Sequence, residues 1–415
     1  MINQFLKSPI FALVSATTFA QFISFGLSIV LVRIYGPAQF GILQIFLSLS
    51  SLIAVPCLLK FDVALVAAEL ESDAEDLFKS AWFSLIAFVI TLVLVLIVIF
   101  IFTNLKIPYY YWLLPASLFG IGLLQLSWMW FVRIGNFNQV YWVRIVESLA
   151  ISLPAVFLTS FQEWGLLISN TFGQALVGIL LLSIFLKKKP LNLLKFEKLR
   201  FLAVFKKFSI YPKINILQGF NDILQVSLPI LLLSQSFNAE VAGYYAQCLR
   251  VLQLPARLII TPLAHVFYSN AAKMFREKND LTPYLLLTIK RIGFSSLPFI
   301  ILLFFAGPFL FSFIFGKQWN EAGIYASILS PWILMDIIRA PIVQVANLFN
   351  KQGLVFRFSL LMNFILTCIL IIPFFTKISA QSILILISST QSILMFVLIV
   401  MIIKMCRNYK EKLIL

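Results

Sequence analysis

Eight stretches of this 415-residue chain are each at least 19 residues long and contain no Asp, Glu, Lys or Arg. A helix rises about 1.5 Å per residue, so about 20 apolar residues suffice to cross the hydrocarbon core of a bilayer. Eight such runs predict a polytopic membrane protein whose working parts lie inside the bilayer. The runs are Ser8–Val32, Ile34–Leu59, Ser80–Leu105, Ile107–Val132, Trp164–Leu186, Ile292–Gly316, Phe358–Thr376 and Ile378–Ile403.

The composition excludes a water-soluble fold and a β-barrel. Charged residues make up 12% of the chain and hydrophobic residues 61%, whereas an ordinary globular chain is about 25% charged. Membrane β-barrels alternate apolar and polar residues in short strands, but these runs are continuous. The four cysteines lie in or beside apolar runs without metal-ligand spacing. They are therefore interpreted as small buried hydrophobic residues, without disulfides or a metal.

Four further stretches are apolar apart from a few charges, which brings the predicted number of spans to twelve. The N-terminal run has one Lys and no small-residue cleavage site, so it is interpreted as a span and not as a removed signal peptide. The predicted spans are 11–33, 40–60, 79–103, 110–132, 140–160, 164–186, 213–234, 242–268, 291–315, 322–349, 355–375 and 380–404.

The connections between the spans fix a predicted orientation. With the N-terminus on one side, the loops and tail of that side carry 24 Lys and Arg, and the other side carries 4. Cytoplasmic loops hold the excess of basic residues. Both termini are therefore predicted to be cytoplasmic. The net charge of +16 follows from this placement, and it does not indicate a nucleic-acid partner.

The longest connection divides the predicted spans into six plus six. We expect an N-terminal lobe at 1–186, a basic cytoplasmic linker at 187–212 and a C-terminal lobe at 213–415. Because six is an even number, the two lobes share one orientation in the membrane. This pattern predicts an all-α fold with a parallel repeat, in which a transport site lies between the halves.

Two pairs of opposite charges lie within predicted spans at a spacing of three residues. Arg144 and Glu147 lie on the fifth span, and Asp336 and Arg339 lie on the tenth. Neighbours at this spacing meet on one helix face. Each pair has two interpretations: an ion pair that only lowers the cost of insertion, or a set of groups lining a cavity. Arg144 is also close enough to the cytoplasmic end to extend to the headgroups.

Three charged residues have no opposite charge near them on their own span. Arg250 and Arg257 lie seven residues apart on the eighth span, and Asp222 lies on the seventh. On a continuous helix the two arginines share a face, and Asp222 could pair with one of them. Their planar guanidinium groups suit phosphate. The excess of intramembrane Arg over acids favours an anionic substrate bound by Arg257 and Arg250, with Arg339 and Arg144 as further candidates.

The chain carries no recognisable catalytic motif. It has no P-loop, HExxH or Gly-x-Ser-x-Gly sequence and only one histidine, so acid–base chemistry has few candidates. We interpret the protein as a non-enzyme without a cofactor or metal. Coupling to H⁺ or Na⁺ has no identifiable site, although Asp222, Asp336 and Glu147 are the intramembrane acids available for it.

Four sequence segments together resemble the Wzx-type flippases of the multidrug/oligosaccharidyl-lipid/polysaccharide (MOP) superfamily. Each segment alone is degenerate, but their order on twelve spans is fairly specific for that family. They are Leu31-Val-Arg-Ile-Tyr-Gly-Pro-Ala-Gln-Phe-Gly41, Phe61-Asp-Val-Ala-Leu-Val66, Gly243-Tyr-Tyr-Ala-Gln-Cys-Leu-Arg-Val-Leu-Gln-Leu-Pro255, and Phe315-Gly-Lys-Gln-Trp-Asn-Glu-Ala-Gly323 followed by Leu329-Ser-Pro331.

The resemblance implies a MATE-like fold and a flippase function. Such a protein moves an undecaprenyl-pyrophosphate-linked oligosaccharide, such as an O-antigen unit, from the cytoplasmic to the periplasmic leaflet of the bacterial inner membrane. It implies two lobes that open alternately around a cationic cavity, ion coupling, and a polysaccharide polymerase and chain-length machinery as candidate partners. Arg250 lies within a matching segment, and Arg257 lies just beyond it. Arg33 and Asp62 lie at membrane ends, where anchoring and substrate contact are both open.

Two other functions remain to be compared with this one. A multidrug or small-metabolite exporter of the related MATE branch would use a carboxylate-rich cavity, for which Asp222 and Asp336 are candidates. A membrane glycosyl-polymerase or ligase needs a sizeable outer segment for its chemistry. Here every predicted outer connection has about 10 residues or fewer, which disfavours the enzyme.

Overall fold

The computed structural model describes residues 26–102, 108–135, 137–193, 195–254, 261–349 and 351–414. Side chains are described for all of these except residues 137–141, 261, 262, 265 and 410–414. Every regular element within these ranges is a helix. The chain forms two compact units, the first extending to Leu228 and the second beginning at Pro229. The division into lobes at the 187–212 linker stays a prediction.

The first unit contains eight helices and the beginning of a ninth, which crosses the boundary to the second unit. A five-residue π-helix, Tyr211–Asn215, leads into the ninth helix. The helices are α1 (26–34), α2 (Pro37–Ala54), α3 (Phe61–Ala67), α4 (Glu71–Phe102), α5 (Leu114–Arg133), α6 (Phe137–Phe157), α7 (Glu163–Lys188), α8 (Lys198–Lys207) and α9 (Ile216–Ser236).

The second unit continues with seven helices. The longest, α16, has 35 residues. The helices are α10 (Ala239–Leu252), α11 (Thr261–Arg276), α12 (Thr282–Phe315), α13 (Asn320–Ile342), α14 (Val345–Leu348), α15 (Gln352–Ile371) and α16 (Ala380–Ile414).

Nine helical segments of the described residues are long and apolar enough to cross a membrane. They coincide with nine of the twelve predicted spans. The other three predicted spans are 11–33, 140–160 and 242–268. The first begins outside the described residues, and in the second α6 carries Arg144 and Glu147. The prediction of an all-α polytopic membrane protein is thereby confirmed. Only helices satisfy their backbone hydrogen bonds within one segment, as the interior of a bilayer requires.

Two predicted spans have the wrong bounds. The second was predicted over 40–60, but α2 ends at Ala54 and α3 begins at Phe61. The eighth was predicted as one helix over 242–268, but α10 ends at Leu252 and α11 begins at Thr261. The sequence has a proline in each interval, Pro56 and Pro255. Proline lacks the amide hydrogen that a helix needs, so Pro56 cannot donate to the Leu52 oxygen as a continuing helix would require.

The core of the first unit combines close helix contacts with an aromatic cluster. Phe78 of α4 lies with its ring centre 5.7 Å from that of Trp130 on α5 and 4.6 Å from that of Phe185 on α7. A Cβ added to Gly178 on α7 would lie 3.0 Å from the backbone nitrogen of Leu124. In lipid, van der Waals packing across small residues associates helices, because the lipid tails are as apolar as the side chains.

The basic linker of the first unit is bound by the acidic beginning of α4. Lys189 forms ion pairs with Glu71 and Glu75, and Lys207 of α8 lies 2.6 Å from Asp73. The Lys189 ammonium also lies over the ring of Trp130. Exposed ion pairs contribute about 0–1 kcal/mol each, so they position the linker more than they stabilise the fold.

Candidate functional site

Two of the four intramembrane arginines are engaged on their own helices. A guanidinium nitrogen of Arg144 lies 2.9 Å from a carboxylate oxygen of Glu147, and the group also lies 4.1 Å over the ring of Trp128. Arg339 donates two hydrogen bonds to Oδ1 of Asp336, at 2.6 and 3.1 Å. Both predicted pairs therefore form. Their geometry fits the interpretation that each pair lowers the cost of placing a charge in the membrane.

The other two arginines belong to the predicted eighth span, which is not one continuous helix. Arg250 is half-buried on the last turn of α10. Arg257 lies outside the described residues. Because α10 ends at Leu252, a single continuous helix does not connect these two residues, so a shared face no longer follows from their spacing. Their joint role in binding an anion stays a prediction.

A strained turn brings a buried carboxylate into the first unit. After α2, Leu59 and Lys60 adopt φ of 51° and 56°, the left-handed region that residues with a side chain avoid. This turn leads into α3, the first turn of which carries Asp62. Strain of about 1 kcal/mol or more per such residue persists where the surrounding structure holds it, frequently at functional sites.

Asp62 is 3% exposed although it carries a carboxyl group. Its Oδ2 accepts a hydrogen bond of 3.2 Å from Nε2 of Gln125 on α5. Its Oδ1 is buried and has no hydrogen-bond donor among the described residues. Burial raises the pKa of the Asp62 carboxyl above its usual range, although the Gln125 hydrogen bond and the charge of Lys60 oppose the shift. The site therefore favours the neutral, protonated acid.

Lys60 connects this turn to the seventh predicted span. A Cβ added to Gly219 on α9 would lie 3.0 Å from the ammonium nitrogen of Lys60, so the lysine rests against this face of the helix. Asp222 lies three residues further along α9 and is exposed. Residues at this spacing share one helix face. Two carboxyl groups, Asp62 and Asp222, are thus distributed around a single ammonium group.

Arg133 fixes the other end of α3. Its Nη1 donates to the backbone oxygens of Leu65 and Ala68, at 2.7 and 2.5 Å. The last carbonyl groups of a helix have no partner within it, and a charged donor there also favours the helix dipole. In the sequence, Arg133 is one of the basic residues of the predicted cytoplasmic loops. Among the sequence segments singled out above, only Phe61–Val66 pointed to the group formed by Asp62, Gln125, Lys60 and Arg133.

Asp62 gives a prediction for stability. Since folding raises its pKa above the unfolded value of about 3.9, the protein loses stability as the pH rises through the folded-state value. Asp62→Asn removes the ionisable group and keeps the acceptor for Gln125. We expect the Asp62→Asn variant to unfold at the same temperature as the wild type near pH 4. At pH 8 its free energy of unfolding should be about 1–3 kcal/mol larger than that of the wild type.

Thermal unfolding of the detergent-solubilised protein, followed by tryptophan fluorescence between pH 4 and 8, measures this difference. Glu69→Gln is the control, because it removes an exposed carboxyl close by in the chain. If the unfolding temperatures of the wild type and of Asp62→Asn change in parallel between pH 4 and 8, Asp62 is ionised throughout this range. That result would contradict the prediction.

Comparison with known proteins places this chain among related sequences and structures. Residues 30–323 match the family described as polysaccharide biosynthesis protein. No curated protein sequence matches the chain. The chain is similar to the lipid II flippase MurJ in its inward closed conformation, with a TM-score of 0.67 and 15% identity over 96% of this chain and 90% of that chain.

Two further solved structures share the fold. A MOP superfamily transporter from Pyrococcus furiosus has a TM-score of 0.55 and 13% identity, over 96% of this chain and 95% of that chain. A MATE protein in its bent conformation has a TM-score of 0.52 and 14% identity, over 97% and 95%. Matches with identities this low establish only that the fold is shared. The shared fold extends over nearly the full length of both chains in each comparison.

Proposed function

Since the chain belongs to the polysaccharide biosynthesis protein family, with the fold of MurJ and the MATE transporters, we propose that it is a flippase for a lipid-linked oligosaccharide. The observation that carries the proposal is the family match, which extends over 30–323 and includes the segments around Asp62 and Arg250. The substrate is an undecaprenyl-pyrophosphate-linked repeat unit of an O-antigen or another surface polysaccharide. It moves from the cytoplasmic to the periplasmic leaflet of the inner membrane, and both termini of the protein are cytoplasmic.

The pyrophosphate is the part of this substrate that a bilayer excludes most strongly. In the proposed mechanism, Arg257 and Arg250 hold it in a cavity that opens alternately to the two sides, while the prenyl tail stays in lipid. Arg339 and Arg144 are secondary candidates, because each would have to share its charge with Asp336 or Glu147. A charge-assisted contact to phosphate is worth about 1.5–3 kcal/mol.

In this proposal, the groups that couple transport to an ion are acidic residues that form no ion pair with an arginine among the described residues. Asp336 and Glu147 are bound by neighbouring arginines. Asp222 lies on the helix face that meets Lys60, and Asp62 is buried with one unbonded oxygen. A carboxyl that gains and loses a proton changes the charge that its neighbours feel. We therefore favour Asp222 for coupling, with Asp62 as a second proton-accepting group, and H⁺ over Na⁺.

Export complementation tests the proposed function. The gene is deleted in its host, and surface polysaccharide and lipid-linked repeat unit are followed with wild type or Arg257→Ala restored. We expect the deletion to lose surface polymer and to accumulate the finished lipid-linked unit in the cytoplasmic leaflet. Arg257→Ala, and separately Arg250→Ala, are expected to lower export about 10- to 100-fold, as the loss of one charge-assisted contact implies.

Arg276→Ala is the matched control, because this exposed arginine ends α11 outside the predicted spans. It should restore export fully at equal protein levels. Full export by a well-expressed Arg257→Ala protein would remove that residue from the transport path. Unchanged surface polysaccharide in the deletion strain, together with new sensitivity to cationic drugs, would favour a MATE-type multidrug exporter instead.

A further inference from the structure

The second unit contains a cavity of about 670 Å³ at one end of its helices. Its lining comes from α14, the beginning of α15, the residues between these two helices and the C-terminal part of α16. This volume falls within the 300–1,000 Å³ of typical small-molecule sites. The lining includes Lys351, Leu354, Met401, Lys404, Met405 and Tyr409.

Three aromatic rings hold one wall of this cavity in place. The rings of Phe275, Phe349 and Tyr409 contact one another pairwise, with centre-to-centre distances between 5.0 and 5.3 Å. Phe275 belongs to the end of α11, Phe349 follows α14 and Tyr409 lies on α16. Aromatic pairs at these distances contribute beyond the area they bury. The wall therefore connects three separate segments and does not depend on a single loop.

Two ammonium groups also belong to the lining of the cavity. Lys351 directly precedes α15, and Lys404 lies on α16. Both side chains are exposed, and neither forms an ion pair with a carboxylate that the structure describes. The backbone nitrogen of Lys351 is fixed by a 2.8 Å hydrogen bond to the Ala346 oxygen. The cavity therefore presents two positive charges to any ligand that enters it.

The position of the cavity along α16 places it at a membrane surface. With 35 residues, α16 is about 50 Å long and exceeds the hydrocarbon core of about 30 Å. The predicted span ends at residue 404, so Met401 lies at the edge of the hydrocarbon and Asn408 and Tyr409 lie beyond it. This end is the predicted cytoplasmic side. Apolar and cationic linings thus meet at headgroup level, where Tyr and Lys side chains are enriched.

We propose that this cavity binds an anionic, phosphate-bearing lipid of the cytoplasmic leaflet. The lipid phosphate contacts the ammonium groups of Lys351 and Lys404, and the first part of the hydrocarbon chain lies along Leu354, Met401 and Met405. The ligand chemistry, an anionic phosphate joined to an apolar chain, matches the two kinds of lining. Either a membrane phospholipid or a prenyl phosphate carrier supplies it, and the site lies entirely within one unit of the protein.

Native mass spectrometry of the detergent-solubilised full chain tests this site. The probes are phosphatidylglycerol, phosphatidylcholine with the same acyl chains, undecaprenyl phosphate and inorganic phosphate. We expect phosphatidylglycerol to bind the wild type more tightly than phosphatidylcholine. The double variant Lys351→Gln/Lys404→Gln should weaken that binding about 10- to 30-fold, since each basic residue near a membrane surface contributes appreciably to anionic-lipid affinity.

Lys273→Gln/Lys290→Gln is the matched control, because it removes two exposed lysines of the same unit that do not line the cavity. It should change the affinity less than two-fold. Leu354→Trp fills the apolar part without changing charge, and we expect it to weaken lipid binding while leaving any binding of inorganic phosphate intact. Thermal unfolding without lipid confirms that each variant is folded.

Equal binding of phosphatidylglycerol by the wild type and the double lysine variant would overturn the site. Equal binding of phosphatidylcholine would also overturn it, because that lipid carries no net charge. If inorganic phosphate alone competes as well as the lipid does, the site is for an anion and the proposed lipid is wrong. Tighter binding of undecaprenyl phosphate than of phosphatidylglycerol identifies a carrier-lipid site, and the reverse order identifies a resident phospholipid. Both orders support the proposal, independently of the outcome of the export experiment.

Discussion

Replacing Gly323 with alanine is expected to destabilise the second unit by about 3 kcal/mol or more, the upper end of the range for overpacking. Gly323 on α13 faces Gly307 on α12, and a Cβ at position 323 would lie 2.5 Å from both the Gly307 oxygen and the Pro308 Cα. Both are backbone atoms, so no side chain can rotate away. The two helices would have to separate at the point where Ser327 Oγ donates to the Leu303 oxygen at 2.9 Å.

Thermal unfolding in detergent and the yield of monodisperse protein measure this effect. The matched control is Gly293→Ala, which lies on α12 and contacts the same partner helix. There a Cβ would meet only the Ile338 side chain at 3.7 Å, an ordinary contact. Because alanine is about 0.5–1 kcal/mol better than glycine inside a helix, this control should be neutral or stabilising. Equal behaviour of the two variants would show that α12 and α13 are not in close contact at Gly323.

Replacing Arg133 with methionine is expected to cost about 2–4 kcal/mol. The variant keeps the apolar stem but removes both hydrogen bonds to the Leu65 and Ala68 oxygens. A hydrogen bond to a charged group contributes about 1.5–3 kcal/mol, and a carbonyl left without a donor adds to the loss. Because α3 carries Asp62, we also expect the variant to change the pH dependence that Asp62 produces.

Lys198→Met is the control for loss of a positive charge, since Lys198 is an exposed residue of the same unit. Arg133→Lys separates the two functions of the guanidinium group, because an ammonium keeps the charge but not the planar fork of donors. We expect Arg133→Lys to recover part of the stability that Arg133→Met loses, measured as the unfolding temperature. A methionine variant as stable as the wild type would mean that water replaces the guanidinium group at both carbonyl oxygens.

The sequence predicted the parts of the site that depend on helical spacing. Arg144 with Glu147, and Asp336 with Arg339, are three residues apart, and both ion pairs are present. The sequence could not predict the pairing of Asp62 with Gln125, because 63 residues of chain separate them. The repeat of six spans and the roles of Arg250 and Arg257 in binding stay predictions.

The charge-free runs by themselves determined the membrane-spanning, all-helical class, and the four sequence segments indicated the family. The runs are sufficient for this class because a bilayer requires each span to satisfy its own backbone hydrogen bonds. A span can therefore be recognised from about 20 consecutive residues. Only the tertiary structure decided where the polar groups meet. The hydrogen bonds from Arg133 to α3 and the close approach of Gly307 and Gly323 each join residues of different helices. Their geometry follows from how helices pack, which the pattern along any one helix does not specify.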